Sequence, residues 1–437
     1  MESPGIQVLI TAQARGEDWP RLLATRLAED GHVVTPMPGA REGAFGGSLG
    51  GRTCAAFRTQ ADVAVLAPGE RLLSAVLRAR RVPTIPAPGE RADIEQVIER
   101  IRRAAGLAER RSGSPQKSIV VAVPTYRRNA QLKALLPCLA DHLREIEDLA
   151  PSSRIVVADN DPAEGARSVV VGYAATGSVP VTYVHADVPG VAAARNACLQ
   201  AARSGELMVF IDDDQMPRPM WLRYLLLAWM RTGSGAVAGP TRPVYPPGTA
   251  SWIEMGPFHD ASHLPRDAKM TLSAVTNFLI DVDVVRRHGL SFPEIGTRGG
   301  EDSWFTTAMV KRGVVISWEP EAIVDEAVPL QRTTPSWVLT RSVGDGVITG
   351  RIGTRFDGSG PHLSDRIRQT RAGVLRVLGG GARILRGLGT RDEATYGLGL
   401  HTAFRGLGIA LGAWDLVFDE YARPGVARWR VDRSWEG

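Results

Sequence analysis

The chain has 437 residues, too many for one ordinary hydrophobic core, so two or three domains are expected. Its 44% hydrophobic content excludes gross disorder, and the formal charge of +5 matters less for its size than for where it sits. Three scattered cysteines (Cys54, Cys138, Cys198) form no CxxC pair and no zinc spacing; with no secretory leader pattern and no run of about 20 apolar residues, a reducing, cytoplasmic setting is expected.

Residues 6–105 alternate apolar runs with amphipathic ones. Strands are predicted over 6–10, 32–35, 61–66 and 82–85, and helices over 19–28, 72–80 and 94–104. That alternation predicts a parallel sheet, a small Rossmann-like or flavodoxin-like α/β domain over 1–105. It holds no GxGxxG; residues 46–51 (GGSLGG) read either as a flexible loop or as a phosphate-binding turn. Residues 106–117 are basic, with Ser, Gly and Pro and no apolar period, and read as a linker.

A central domain over 118–350 starts with a strand over 119–123, expected to break at Pro124. A helix follows over 131–143, then strands over 155–158 and 181–184, a helix over 191–203 and a strand over 207–211. Further on, a helix over 303–312 precedes strand-like runs over 314–318 and 322–324. In open α/β sheets ligands bind at the carboxyl ends of strands. Three such ends carry polar groups: Pro124-Thr125-Tyr126-Arg127, Asp159-Asn160-Asp161 and Asp212-Asp213-Asp214.

The region 361–437 reads as basic, amphipathic and helical. Seven arginines and no acidic residue lie between Arg366 and Arg391, with Ile367, Val374, Leu375, Leu378, Ile384, Leu385 and Leu388 interleaved at near-helical spacing. Gly379-Gly380-Gly381 is expected to interrupt the helix. Such a segment suits an anionic membrane surface or a helix packed on the protein with a solvated basic face. Residues 398–418 fit a packed or interfacial helix pair better than a membrane span, because His401, Arg405 and Asp415 interrupt them.

Three carboxylates after an apolar strand, Asp212-Asp213-Asp214, repel one another, and a hard divalent cation relieves that repulsion; taken alone they read more simply as an acidic turn or a helix cap, and the elements that follow add weight to the metal reading. Gly299-Gly300-Glu301-Asp302 puts an acidic pair at a helix amino terminus, fitting either a general base or a cap favourable to the dipole, and the glycines allow backbone to approach a ligand. Arg195 and Asn196 sit on the helix before the aspartate strand. Asp325-Glu326 offers a carboxylate to complete a metal shell, and Arg332 a bidentate contact to a diphosphate. Trp252, Phe258, His259, His263 and Trp304 line either an acceptor groove or plain core, with core the simpler reading for Trp304.

Each signal is weak alone; their order is specific. Strand–PTYRR, strand–ADND, ARN helix, strand–DDD, GGED helix and DEAVPLQR together resemble a family 2 inverting glycosyltransferase of the GT-A fold, most like the bacterial succinoglycan-type exopolysaccharide glucosyltransferases. The resemblance covers residue 118 to about residue 350. It implies that Pro124, Thr125, Tyr126 and Arg127 hold the nucleoside, that Asp159 bonds the base with Asp161 in support, and that Arg195 faces the donor. Asp212 and Asp213 would contact ribose and sugar, Asp214 would ligate Mg2+ or Mn2+, and Asp302, with Glu301 beside it, would deprotonate the acceptor hydroxyl. Many members place a histidine ligand near Asp325-Glu326; this sequence has none there, leaving Glu326 as a substitute or a shell of Asp214, phosphates and water.

The resemblance further implies a UDP-sugar donor, UDP-glucose first, and a glycan or polyprenyl-linked acceptor at the inner face of the cell membrane. The alternatives are a non-catalytic nucleotide-sugar-binding protein with a degenerate transferase domain, against which the intact DDD and GGED stand, and a nucleotidyltransferase, whose Gly- and Lys-rich phosphate loop is replaced here by PTYRR. No nucleic-acid partner is expected: the arginine-rich tail has few aromatics and no recognised nucleic-acid motif.

Overall fold

The computed structural model of the protein describes residues 7–11, 33–37, 63–66, 84–86, 117–150, 152–259, 264–293, 299–356, 362–418 and 429–431. The chain divides into two units, Met1–Gln116 and Lys117–Gly437. In the first, β1 (Gln7–Thr11), β2 (Val33–Met37), β3 (Val63–Leu66) and β4 (Thr84–Pro86) pair in parallel in the order β2-β1-β3-β4. This is the parallel sheet that the alternating pattern predicts. The helices expected over 19–28, 72–80 and 94–104, the loop 46–51 and the linker up to residue 116 lie outside the described residues.

The second unit begins with β5 (Ser118–Thr125), in which Ile119 to Val123 are fully buried. A continuous apolar run, mostly β-branched and buried on both faces, is the signature of a central parallel strand. After α1 (Asn129–Glu145), β6 (Ser153–Asp159), α2 (Arg167–Thr176), β7 (Val181–His185), α3 (Val191–Ala201) and β8 (Glu206–Phe210) complete the parallel part. Pro124 does not break β5, contrary to expectation. The Ala122 carbonyl accepts the Ile211 N–H on the β8 side and the Thr125 carbonyl accepts the Asn160 N–H on the β6 side. By that alternation Pro124 turns its missing donor toward β8, whose pairing with β5 has ended at Ala122–Phe210.

The chain continues through β9 (Gln215–Pro217), α4 (Trp221–Thr232), β10 (Ala236–Ala238), β11 (Thr241–Val244), α5 (Ser251–Glu254), β12 (Lys269–Met270), β13 (Phe278–Asp281), α6 (Val282–Arg287), α7 (Glu301–Lys311), β14 (Ile316–Trp318) and β15 (Val324–Ala327). The main sheet runs β12-β14-β10-β13-β8-β5-β6-β7, and a small second sheet runs β11-β15-β9. Antiparallel pairing of β13 with β8 adds the non-parallel half to the main sheet.

Three helices follow: α8 (Pro335–Arg355), α9 (Leu363–Thr390) and α10 (Glu393–Gly412). The three glycines at 379–381 do not interrupt α9, which runs through them. A side chain at Gly380 would stand 2.5 Å from the Ala403 nitrogen of α10, and one at Gly373 would stand 2.6 Å from the Gly406 carbonyl. Close backbone packing against α10 therefore overrides the local cost of glycine in a helix. Gly346 and Gly350 of α8 meet α10 in the same way. Asp415, after α10, accepts from Arg355 Nε at 2.7 Å and Arg366 Nη2 at 2.6 Å, joining α8 and α9 to the chain beyond. The run 398–418 is thus a packed helix and its exit, and no helix among the described residues is long and apolar enough to cross a membrane.

Candidate active site

Strands β8, β5 and β6 lie side by side and run the same way, so their carboxyl ends open on one edge of the sheet. The buried Thr125 hydroxyl donates to Asp213 Oδ2 at 2.7 Å. Arg127 has φ of 56°, and the chain turns there: its exposed guanidinium lies over the Tyr126 ring and donates to Asp161 at 3.1 Å, away from the aspartates. Arg128, which the sequence reading passed over, donates from one nitrogen to Asp213 Oδ1 at 2.7 Å and Asp214 Oδ2 at 2.6 Å.

Asp159 is fully buried. Its Oδ1 accepts the Asp161 N–H at 3.0 Å, and its Oδ2 accepts the Ala166 N–H at 2.9 Å and the Tyr183 hydroxyl at 3.1 Å. Burial and this carboxylate together push the Tyr183 phenol up to about 12. Both oxygens of Asp159 therefore hold the loop. Asn160 binds the turn before α3, donating to the Ala186 and Val188 carbonyls and accepting from Gly190 N–H. That fixes the start of the helix carrying Arg195.

Arg195 is not a surface arginine: it is 3% exposed. Its Nη1 meets Glu301 Oε1 at 2.9 Å and also Asp302 Oδ1, and its Nη2 stands 3.8 Å from Asp212 Oδ1. Its Nε meets no acceptor among the described residues. One guanidinium thus ties the aspartate turn to the start of α7. Asp302 Oδ2 takes the Val275 N–H at 3.0 Å. Burial and the neighbouring Asp302 raise the Glu301 carboxyl above its usual range, with Arg195 opposing. Burial raises Asp212 to about 8; Arg195 opposes this, while Asp214, Asp302 and Glu326 add to it.

Gly299 and Gly300 both hold positive φ, so glycine suits this turn into α7. The close approach at Gly300 is to Ile348 of α8, where an added side chain would stand 2.8 Å away; the sequence had suggested a ligand. In β15 the alternation of faces separates the acidic pair. Asp325 is bound through both oxygens to Arg218 at 2.7 Å, while Glu326, opposite Gln215 in the register, accepts its Nε2 at 3.2 Å. Burial and Asp214 raise the Glu326 carboxyl. Arg332 stands 3.9 Å from Glu326 and over the Trp337 ring.

Among the described residues no three His, Cys, Asp or Glu are grouped to hold a metal by themselves. Two crowded, part-buried carboxylates, Asp214 and Glu326, still suit a hard cation whose shell is completed by substrate phosphates and water, the usual arrangement for Mg2+. The aromatic residues divide. Trp252 packs edge-on against Phe258 and Tyr396, Phe258 edge-on against His401, and Trp304 at a tilt against Phe356, so these rings join the core to α10 and to the end of α8. His259 instead stacks on Trp337 at 5.5 Å, beside Arg332, with Tyr245 Oη 3.3 Å from its Nδ1. His263 lies outside the described residues.

The family model "Glycosyl transferase family 2" matches residues 120–289, from β5 to just past α6. The chain is 33% identical over 235 residues to the succinoglycan biosynthesis protein ExoM of Rhizobium meliloti, covering 54% of this chain and 74% of that protein. It is 22% identical over 188 residues to the glycosyltransferase AglE of Haloferax volcanii, covering 43% of this chain and 59% of that protein. Among solved structures it is similar to S. aureus TarS residues 1–349 in complex with UDP, with a TM-score of 0.39 and 15% identity over 64% of this chain and 89% of that one. It is also similar to GalNAc-T7 with UDP, GalNAc and Mn2+, with a TM-score of 0.43 and 13% identity over 60% of this chain and 51% of that one. By the sequence match and the order of its site elements, this chain belongs to glycosyl transferase family 2, with the α/β GT-A-type sheet as its catalytic domain.

Proposed function

We propose that the central domain is an inverting transferase that moves a sugar from a nucleoside diphosphate, a UDP-sugar, to a hydroxyl of a glycan or polyprenyl-linked glycan in polysaccharide biosynthesis, working in the cytoplasm. The observation that carries this is the buried Arg195, which joins the donor-side aspartate Asp212 to the acidic pair Glu301 and Asp302. It brings donor and acceptor chemistry to one point on the sheet edge. The similarity to ExoM supports the polysaccharide setting.

In this reading Tyr126 and Arg127, exposed beside Asp161, meet the nucleoside; Pro124, Thr125 and Asp159 shape the wall behind them. Asp212 and Asp213 face ribose and sugar. A divalent ion, Mg2+ or Mn2+, held by Asp214 and Glu326 would supply Lewis-acid stabilisation of the leaving diphosphate. Arg332, beside Glu326, adds positive charge there. Asp302, oriented by Arg195 and by the Val275 N–H, takes the proton from the acceptor hydroxyl as that oxygen attacks the anomeric carbon. With no protein nucleophile, this single displacement inverts the anomeric centre, by the logic of inverting hydrolysis.

The test is release of nucleoside diphosphate from a panel of nucleotide-sugars, with and without Mn2+, by the wild type and by Asp214→Ala. Metal-dependent release from one donor, lost in Asp214→Ala, is expected. No release from any donor and no nucleotide binding by calorimetry would replace this reading with a degenerate transferase.

A further inference from the structure

Helix α9 buries only Gly373, Gly380 and Gly387. Its contact with α10 is made by glycine backbone and by Ile384 against Gly399, so most of its larger apolar side chains are not used in packing. Ile367, Val374, Leu378, Leu385 and Leu388 follow one another at spacings of 7, 4, 7 and 3 residues, which in a helix is one continuous face. All five are exposed, Leu378 at 65% and Leu385 at 74%. At 3.6 residues per turn, Arg371 lies beside that stripe and Arg368 and Arg386 further round on the same side. Arg376 and Arg383 donate to carbonyls of their own helix, and no acidic residue lies between Arg366 and Arg391. Trp414, about half exposed, donates to Thr370 at 3.0 Å beneath the Arg366 guanidinium, adding an amphipathic ring near the amino-terminal part of the stripe.

We infer that α9 is a docking face for an anionic lipid bilayer, lying in the plane of its surface. The charges select the occupant: an apolar stripe flanked by arginines fits acyl chains beneath anionic headgroups, where leucines enter and guanidinium groups pair with phosphate. The arginines, and the absence among the described residues of a helix long and apolar enough to span, place α9 on the surface and not across it. This inference needs neither the donor nor the acceptor of the proposed reaction.

The test is flotation of the full chain with phosphatidylglycerol-containing vesicles and with pure phosphatidylcholine vesicles, neither holding any acceptor. Flotation with the anionic vesicles only, weakened by added salt, is expected. Leu378→Ser with Leu385→Ser should lower the partition about tenfold or more. Arg371→Gln with Arg386→Gln should weaken binding and flatten its salt dependence. Both double variants should keep wild-type melting temperature and wild-type hydrolysis of donor. Absence of flotation with anionic vesicles, or flotation indifferent to both double variants, overturns the inference. So does a stable dimer, seen by light scattering, that the leucine variant dissolves, since the face would then join two copies of the chain.

Discussion

Nη1 of Arg128 lies 2.6 Å from Oδ2 of Asp214, so a protein cation already sits on the carboxylate assigned to the metal. The two cations compete for the same charge. Arg128→Gln is therefore expected to tighten Mn2+ binding to the nucleotide-free protein by up to about fivefold, the range of a partly exposed ion pair. Calorimetric titration with Mn2+ alone checks this; weaker Mn2+ binding in the variant would show that Arg128 organises the carboxylates instead of competing for them.

Asp302 and Glu301 share Arg195 but differ in exposure, Asp302 being the more open of the two. Asp302→Asn should lower kcat by about 10²–10⁴ with little change in the donor KM, as expected for loss of a general base. Glu301→Gln should cost less in kcat. Pre-steady-state transfer by the two variants, compared side by side, decides the assignment: a mild Asp302→Asn beside a severe Glu301→Gln would move the base to Glu301.

Arg195, itself almost closed to water, brings one positive charge to three carboxylates that are 10–29% exposed. Arg195→Met leaves them unopposed and should cost about 3–5 kcal/mol of stability. The urea midpoint measures it. An unchanged midpoint would mean that the three carboxylates take up protons readily enough to dispense with the guanidinium.

Gly380 touches the backbone of α10, with no room for a side chain. Gly380→Leu should separate α9 from α10 and cost about 1–3 kcal/mol, a typical overpacking penalty. Gly381→Ala, one residue on with nothing near it, should be neutral or slightly stabilising. Thermal melts of the pair report whether glycine is kept for packing or for flexibility.

Burial opposes ionisation of Asp415, yet Arg355 and Arg366 hold its carboxyl below the usual range. A depressed carboxylate stabilises the fold fully above the unfolded value of about 3.9 and loses that contribution as pH falls through the lower folded value. Asp415→Asn should therefore melt below the wild type at pH 7, and the gap should narrow below about pH 4. A gap that stays constant with pH would assign the loss to packing instead of charge.

The strand ends that carry the site were legible because a buried strand declares itself as an unbroken apolar run, and the polar residues that stop it fall at one edge of the sheet. Which of Arg127 and Arg128 turns inward was not legible: it depends on the left-handed turn at Arg127, which no residue pattern announced. The period of two put Asp325 and Glu326 on opposite faces, but only the pairing of β15 with β9 shows which one looks toward Asp214. Glycines at 379–381 looked like a break because propensity is local, and α10, which they pack against, lies later in the chain. The choice between groove and core for Trp252 and Phe258 stayed open for the same reason: their partners, Tyr396 and His401, are more than a hundred residues away in sequence.

The bonds that close the site span long stretches of chain: Arg195 to Glu301 across 106 residues and Gln215 to Glu326 across 111. A ribosome-bound chain that has exposed only the residues up to Asp214 would carry Thr125 and Arg128 beside Asp213 and Asp214 but would lack Glu301, Asp302 and Glu326. It could neither fix the donor nor activate an acceptor. On the proposed assignment of Asp302 and Glu326, activity would appear late in synthesis, and prematurely ended chains would be inert instead of hydrolysing nucleotide-sugars to waste.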